Sequence, residues 1–285
     1  MKKSIILILT LCMMLSLLTL GVSAQKNHVQ VTVTIAVKGE LVAAQVSVQI
    51  EDVDGDGIFT VNDALYCAHA QYYQGGAEAG YGYYSGEYGL SMSKLWGDES
   101  GAYGYYLNDA SCMSLADPIK DGDYVTAFVY KNADWSDVYT YFDVAQTSVE
   151  LGQAFTLTLM AAGYDENWNP ITYPVAGASI TVDGSEMLVT SSEGVTPMFV
   201  TDENGQVEMV FNTMRAGDPL TRLISAKCKD MTVVPPVCQV SLTVPQDTDE
   251  QTDPEQSGNG CDAIVGTTLI ALLPLAYLCI KRKER

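Results

Sequence analysis

The sequence predicts a small α+β module followed by an all-β sandwich, carried between two targeting segments. Three observations predict it. Apolar residues alternate with period two through most of the chain. A single helical stretch, roughly 62–73, follows an acidic, Gly-containing loop, and from about 146 to 245 there is no helical period. At 285 residues and 47% apolar content, the chain can build one or two packed domains once its ends are set aside.

Residues 1–24 read as a signal peptide: Lys2 and Lys3, an apolar run from Ile5 to Leu20, then the small-residue site Val22-Ser23-Ala24. The alternative is an N-terminal anchor. In the first module, 28–145, Val29, Val31, Val33, Ile35 and Val37 alternate with other residues, as do Val42, Ala44, Val46, Val48 and Ile50. Lys38-Gly39-Glu40 turns one run into the other. The helix follows, with Leu65, Ala68, His69 and Tyr72 on one face. After a Gly/Tyr-rich passage, strands are expected at 90–95, 103–107, 124–130 and 139–144.

The second module, 146–245, alternates at Phe155, Leu157 and Leu159, at Ala178, Ile180 and Val182, and at Val207, Met209 and Phe211. Turns at Asp183-Gly184 and Glu203-Asn204-Gly205 separate these runs, the pattern of a β-sandwich. Residues 246–260 hold five acidic side chains and no large apolar one, so they form a solvated tether. Ala263 to Ile280 is an apolar stretch of 18 residues, followed by a basic tail that stays cytoplasmic while 25–260 lie outside. Residues 261–285 are thus expected to provide a transmembrane helix and membrane attachment.

Charge agrees with export. The formal net charge is −20, and between 26 and 280 nine basic residues face thirty-four acidic ones, or −25. Such a surface repels polyanions, so no nucleic-acid partner is expected. Of the seven cysteines, Cys67, Cys112, Cys228 and Cys238 fall in the folded part. The spacing of Cys228 and Cys238 suits a disulfide across a strand-loop-strand; a Cys67–Cys112 pairing is not deducible.

The sharpest chemistry is the run Asp52-Val53-Asp54-Gly55-Asp56-Gly57-Ile58-Phe59-Thr60-Val61-Asn62-Asp63. Calcium takes six to eight oxygens at about 2.4 Å. Asp52, Asp54 and Asp56 stand at loop positions that converge on one point, and Gly57 permits the sharp turn. Ile58 offers its backbone oxygen, Thr60 acts through water, and Asp63 closes the shell from the helix. The loop at 52–63 thus has EF-hand-like spacing, with Asp at its twelfth position in place of Glu. It resembles the dockerin loop, in which Asp is the normal twelfth residue; a full dockerin carries two such loops, and here there is one. The expected cofactor is a structural Ca2+.

Further stretches carry family likenesses. Val61-Asn62-Asp63-Ala64-Leu65, Tyr103-Gly104-Tyr105-Tyr106-Leu107-Asn108-Asp109 and Asp121-Gly122-Asp123-Tyr124-Val125 resemble, in this order, the transcobalamin-like C-terminal domain. That resemblance implies a β-grasp module, with the calcium loop inserted between hairpin and helix. Some relatives help to cover a corrinoid. Pro174-Val175-Ala176-Gly177-Ala178-Ser179-Ile180-Thr181-Val182 and Thr201-Asp202-Glu203-Asn204-Gly205-Gln206-Val207 resemble bacterial Ig-like repeats, which serve as spacers or adhesive units. Gly258-Asn259-Gly260-Cys261-Asp262, the apolar run and the basic tail resemble the Synergistes type of C-terminal sorting signal, with processing at Gly260 and Cys261; a plain single-pass anchor is the alternative.

An enzyme is not expected. There is no nucleophile motif and no phosphate loop, and the chain has two histidines, of which His69 reads as a packed core residue. Fourteen of seventeen tyrosines lie between Tyr66 and Tyr141, and Tyr81, Tyr83, Tyr84 and Tyr88 in the Gly-rich passage are candidates to stack on a sugar or planar ligand. The expectation is an exported, envelope-anchored surface protein with a calcium-stabilised binding or adhesion module. Its ligand would be a glycan, a corrinoid or a protein. The alternative is a purely structural stalk.

Overall fold

The computed structural model describes residues 29–87, 89–192, 194–213 and 220–244. The signal expected at 1–24, the tether expected at 246–260 and the sorting segment expected at 261–285, with Gly260 and Cys261, lie outside the described residues. Among the described residues, no helix is long and apolar enough to cross a membrane.

The chain starts with a hairpin of β1 (Val29–Val37) and β2 (Glu40–Ile50). Lys38 and Gly39 both take positive φ, 51° and 84°. That is the two-residue turn whose twist matches paired strands. Helix α1 (Val61–Tyr72) follows, then the one-turn α2 (Gly76–Gly80) and a second hairpin, β3 (Gly82–Gly86) with β4 (Gly89–Lys94). Strands β5 (Tyr103–Leu107), β6 (Ala110–Ser111) and β7 (Tyr124–Val129) complete a mixed sheet in the order β2-β1-β7-β5-β6. Its centre is the parallel pair β1–β7, with Ala36 beside Phe128.

Period two in β1 sorts its residues onto two covered faces. Val31, Val33 and Ile35 pack with Leu65, Ala64 and Ala68 of α1 in the larger core. Leu65, Ala68 and His69 are buried as the helical period expects, and half-buried Tyr72 donates its O–H to the Ser47 carbonyl at 2.9 Å. On the other face, Ala36 and Phe128 pack against Tyr139 and Val234 of the second module. Gly104 lies across from Phe128 in the β5–β7 pair, and a Cβ there would overlap the phenyl ring.

The second module is a sandwich. One sheet holds β8 (Val138–Phe142), β10 (Ala154–Tyr164), β11 (Pro170–Pro174), β16 (Gln206–Val210) and β18 (Val233–Val234). The other holds β9 (Gln146–Glu150), β12 (Ser179–Val182), β13 (Ser185–Glu186), β17 (Thr221–Lys227) and β19 (Cys238–Thr243). Between β13 and β16 the chain makes a separate hairpin, β14 (Leu188–Ser191) with β15 (Gly194–Pro197). Leu157, Leu159 and Met209 of the first sheet meet Ile180, Ile224 and Val240 of the second in a common core. Together with the hairpins of the first module, this makes the described chain mostly β.

Two expectations differ from the structure. The strand expected at 139–144 as the end of the first module is β8, and it pairs with β10 (Leu159 beside Phe142) and β18 (Val233 beside Val138). The boundary drawn at 145 therefore runs through the second module's sheet. Alternation announces a strand without naming its neighbour. The Cys228–Cys238 disulfide is not formed, nor is Cys67–Cys112; all four thiols are free. In the β17–β19 register Ile224 lies opposite Cys238, so Cys228 is four positions further along. At about 3.3 Å per residue that is roughly 13 Å, well beyond disulfide reach.

Candidate metal centre

The acidic loop joins the end of β2 to the start of α1, and both flanks are anchored. Val53 and Phe59 pack against the larger core. Downstream, the chain is zipped to 115–119: Ile119 N–H donates to the Phe59 carbonyl at 2.9 Å, Val61 N–H to Asp117 at 3.0 Å and Asn62 N–H to Leu115 at 2.8 Å. Gly55 and Gly57 sit at φ 76° and 87°, where a side chain would be strained.

Thr60 is the N-cap of α1 and forms a capping box with Asp63. Asp63 is 1% exposed. One of its oxygens accepts from Val53 N–H at 3.0 Å; the other accepts from Thr60 N–H at 2.8 Å and from the Thr60 hydroxyl at 2.7 Å. Asp52 accepts from Gly55 N–H and Gly57 N–H, both at 2.8 Å. Asp56 accepts from Ile58 N–H at 2.7 Å, and Asp54 from Asp56 N–H at 3.3 Å.

Of the residues the spacing selects, Asp52, Asp54 and Asp63 each bring a carboxylate oxygen within 4.8 Å of the others. Two oxygens that share an ion at about 2.4 Å can be no further apart than about twice that radius. Asp56 is held on Ile58 N–H and lies outside this trio; the Thr60 hydroxyl is spent on Asp63. The Ile58 side chain is exposed, leaving its position in the loop to the backbone. The ion pairs among the described residues, Lys38–Asp98, Lys94–Glu99 and Arg222–Asp183, do not touch the loop.

The carboxyls feel opposite fields. The Gly57 N–H bond, with that of Gly55, holds Asp52 below the usual carboxylate range. The Asp56 N–H bond is the largest influence on Asp54 and pulls it down. Desolvation and the charges of Asp56 and Asp63 outweigh it, so Asp54 is pushed up. All-oxygen donors with uncompensated charge suit a hard cation such as Ca2+.

His69 takes no part in this centre. It is fully buried, its Nδ1 lies 2.6 Å from the Leu65 carbonyl, and its Nε2 accepts the Trp96 backbone N–H at 3.0 Å. Because an amide can only donate and a carbonyl only accept, the ring proton is on Nδ1. Tyr81 stacks on the imidazole at 5.0 Å and donates its O–H to Asn62 Oδ1 at 3.0 Å. At 6% exposure it is a core residue rather than a stacking platform; Tyr83 and Tyr84 are exposed, and Tyr88 lies outside the described residues. A second aromatic group, gathered from both modules, has no local sequence signal.

No protein-family model matches the chain, and no curated protein matches it. Among solved structures it is similar to Sidekick-1 immunoglobulin domains 1-4, at 12% identity and a TM-score of 0.21, over 75% of this chain and 49% of that one. The chain spans about half the length of that structure, and so loose a likeness carries no argument about function.

Proposed function

We propose that the protein is an exported, envelope-anchored surface protein whose first module, of β-grasp type, is stabilised by one Ca2+ and whose second is an Ig-like spacer. The pair acts as a binding or adhesion unit. The observation that carries the reading is the convergence of Asp52, Asp54 and Asp63 at the entrance to α1. Three carboxylates repel one another in the absence of a counter-charge, so a cation that bridges them stabilises the junction of hairpin and helix. The expected metal is structural. Its role is to hold the first module rigid, and the groups around it serve no proton transfer.

Export fits the acidic surface and the two targeting ends. Mass spectrometry of the cell-associated protein tests it: an N-terminus at Gln25 is expected, and a retained residue 1 contradicts export by cleavage. For the cation, calcium and a chelator are compared by thermal unfolding of the full chain. Substituting Asp52→Asn with Asp54→Asn should abolish the difference.

A further inference from the structure

We propose a second site, a groove between the two modules that binds a neutral glycan through aromatic faces. This deepens the reading of the chain as a binding module and rests on it. The groove has a volume of about 430 Å3 and is lined by Tyr106 of β5, Tyr130 and Trp135 beyond β7, and Tyr164 and Tyr173 of β10 and β11. That volume falls within the ~300–1,000 Å3 of small-ligand sites.

The floor is rigid. Tyr106 lies flat on Tyr139, ring centroids 3.6 Å apart and 8° from parallel. Trp135 forms one wall, 64% exposed at φ 61°. Its turn is fixed by buried Asp137, which accepts Lys131 N–H at 2.7 Å and Asn132 N–H at 2.8 Å. At the far side Tyr164 neighbours Trp168, 80% exposed at φ 63° on a turn held by Asp165. A bulky residue at positive φ is strained, and large rings left in water lose the benefit of burial. Trp135 has both features and lines the groove; Trp168 has both and stands next to the lining Tyr164.

The lining selects the ligand. Aromatic faces accept the C–H face of a sugar ring, and phenol hydroxyls can donate to and accept from its hydroxyls. Among the described residues, no intramolecular hydrogen bond occupies the hydroxyls of Tyr106, Tyr130, Tyr164 or Tyr173. Among the described residues, no Lys or Arg lines the groove, and the carboxylate of Asp137 is used on backbone amides. With a net charge of −20, the protein repels sulfated or uronate glycans.

The test titrates the full chain, in calcium, with cellotriose, maltotriose and chitotriose, and with a heparin trisaccharide as the anionic probe. Calorimetry and tryptophan fluorescence report binding. At least one neutral trisaccharide is expected to bind. Trp135→Ala and Tyr164→Ala should each weaken it about tenfold, since one ring contact is worth on the order of a decade in affinity. Leu188→Ala, an exposed apolar side chain outside the groove, should leave it unchanged. The proposal is overturned if none of the three binds up to millimolar concentrations, if heparin binds better, or if the Trp135/Tyr164 double variant binds as well as the parent. Calcium-dependent melting is read separately, so failure here leaves the metal reading standing.

Discussion

Asp63 accepts the backbone N–H of Val53 at 3.0 Å, so the last residue of the acidic loop is tied to its second. The same carboxylate caps α1 through Thr60. The loop is therefore closed by protein hydrogen bonds before any cation enters, and Asp63 has two separable duties.

Removing Asp63 tests the first duty. Asp63→Ala leaves the buried N–H of Thr60 and the half-buried N–H of Val53 without an acceptor and strips the helix cap. Hydrogen bonds to a charged group plus a cap are together worth about 2–4 kcal/mol. That loss should appear in urea unfolding with chelator present. Asp54→Asn should behave differently. It relieves repulsion from Asp56 and Asp63, so without calcium stability should hold or rise, while the calcium-induced gain shrinks.

His69 makes stability depend on pH. Burial is the main cause that lowers its pKa from 6.5 to about 4, partly offset by the bond to Leu65. In the unfolded chain the imidazole gains its proton near pH 6.5; in the folded one it resists down to about 4. The unfolded state thus binds more protons across that window, and stability falls as pH falls through it. From pH 7 to pH 5 this group should remove about 2 kcal/mol. The measurement is the difference in pH slope between the parent and His69→Phe. Equal slopes would show that the imidazole is not held neutral.

Gly104 reports on the contact between modules. A methyl there meets the Phe128 ring, which also packs on Tyr139. Overpacking of this kind costs about 1–3 kcal/mol. Gly104→Ala should lower the melting temperature of the whole 29–244 unit in a single transition. Two transitions, with only one shifted, would mean that the modules unfold independently.

Local signals were readable in the sequence and distant pairings were not. The β1–β2 hairpin, α1 and the converging carboxylates Asp52, Asp54 and Asp63 sit within short windows, where period and spacing are sufficient. The neighbour of β8 depends on residues about twenty positions away in β10 and nearly a hundred away in β18. Cys228 and Cys238 looked well spaced, but strand register, invisible to spacing, carries them apart. Tyrosine clustering points to 81–88, whereas the groove takes Tyr106, Trp135 and Tyr164 from three separate segments. No window of sequence contains it.

The most direct test of the central claim is the melting temperature of the full chain in calcium and in chelator, for the parent and for Asp52→Asn with Asp54→Asn. A ligand at about a hundred times its dissociation constant adds roughly 2.7 kcal/mol, which for a folded unit of this size is about 5–10 °C. That shift is expected in the parent and none in the double variant. A parent indifferent to chelation, or a double variant that still responds to calcium, would contradict it.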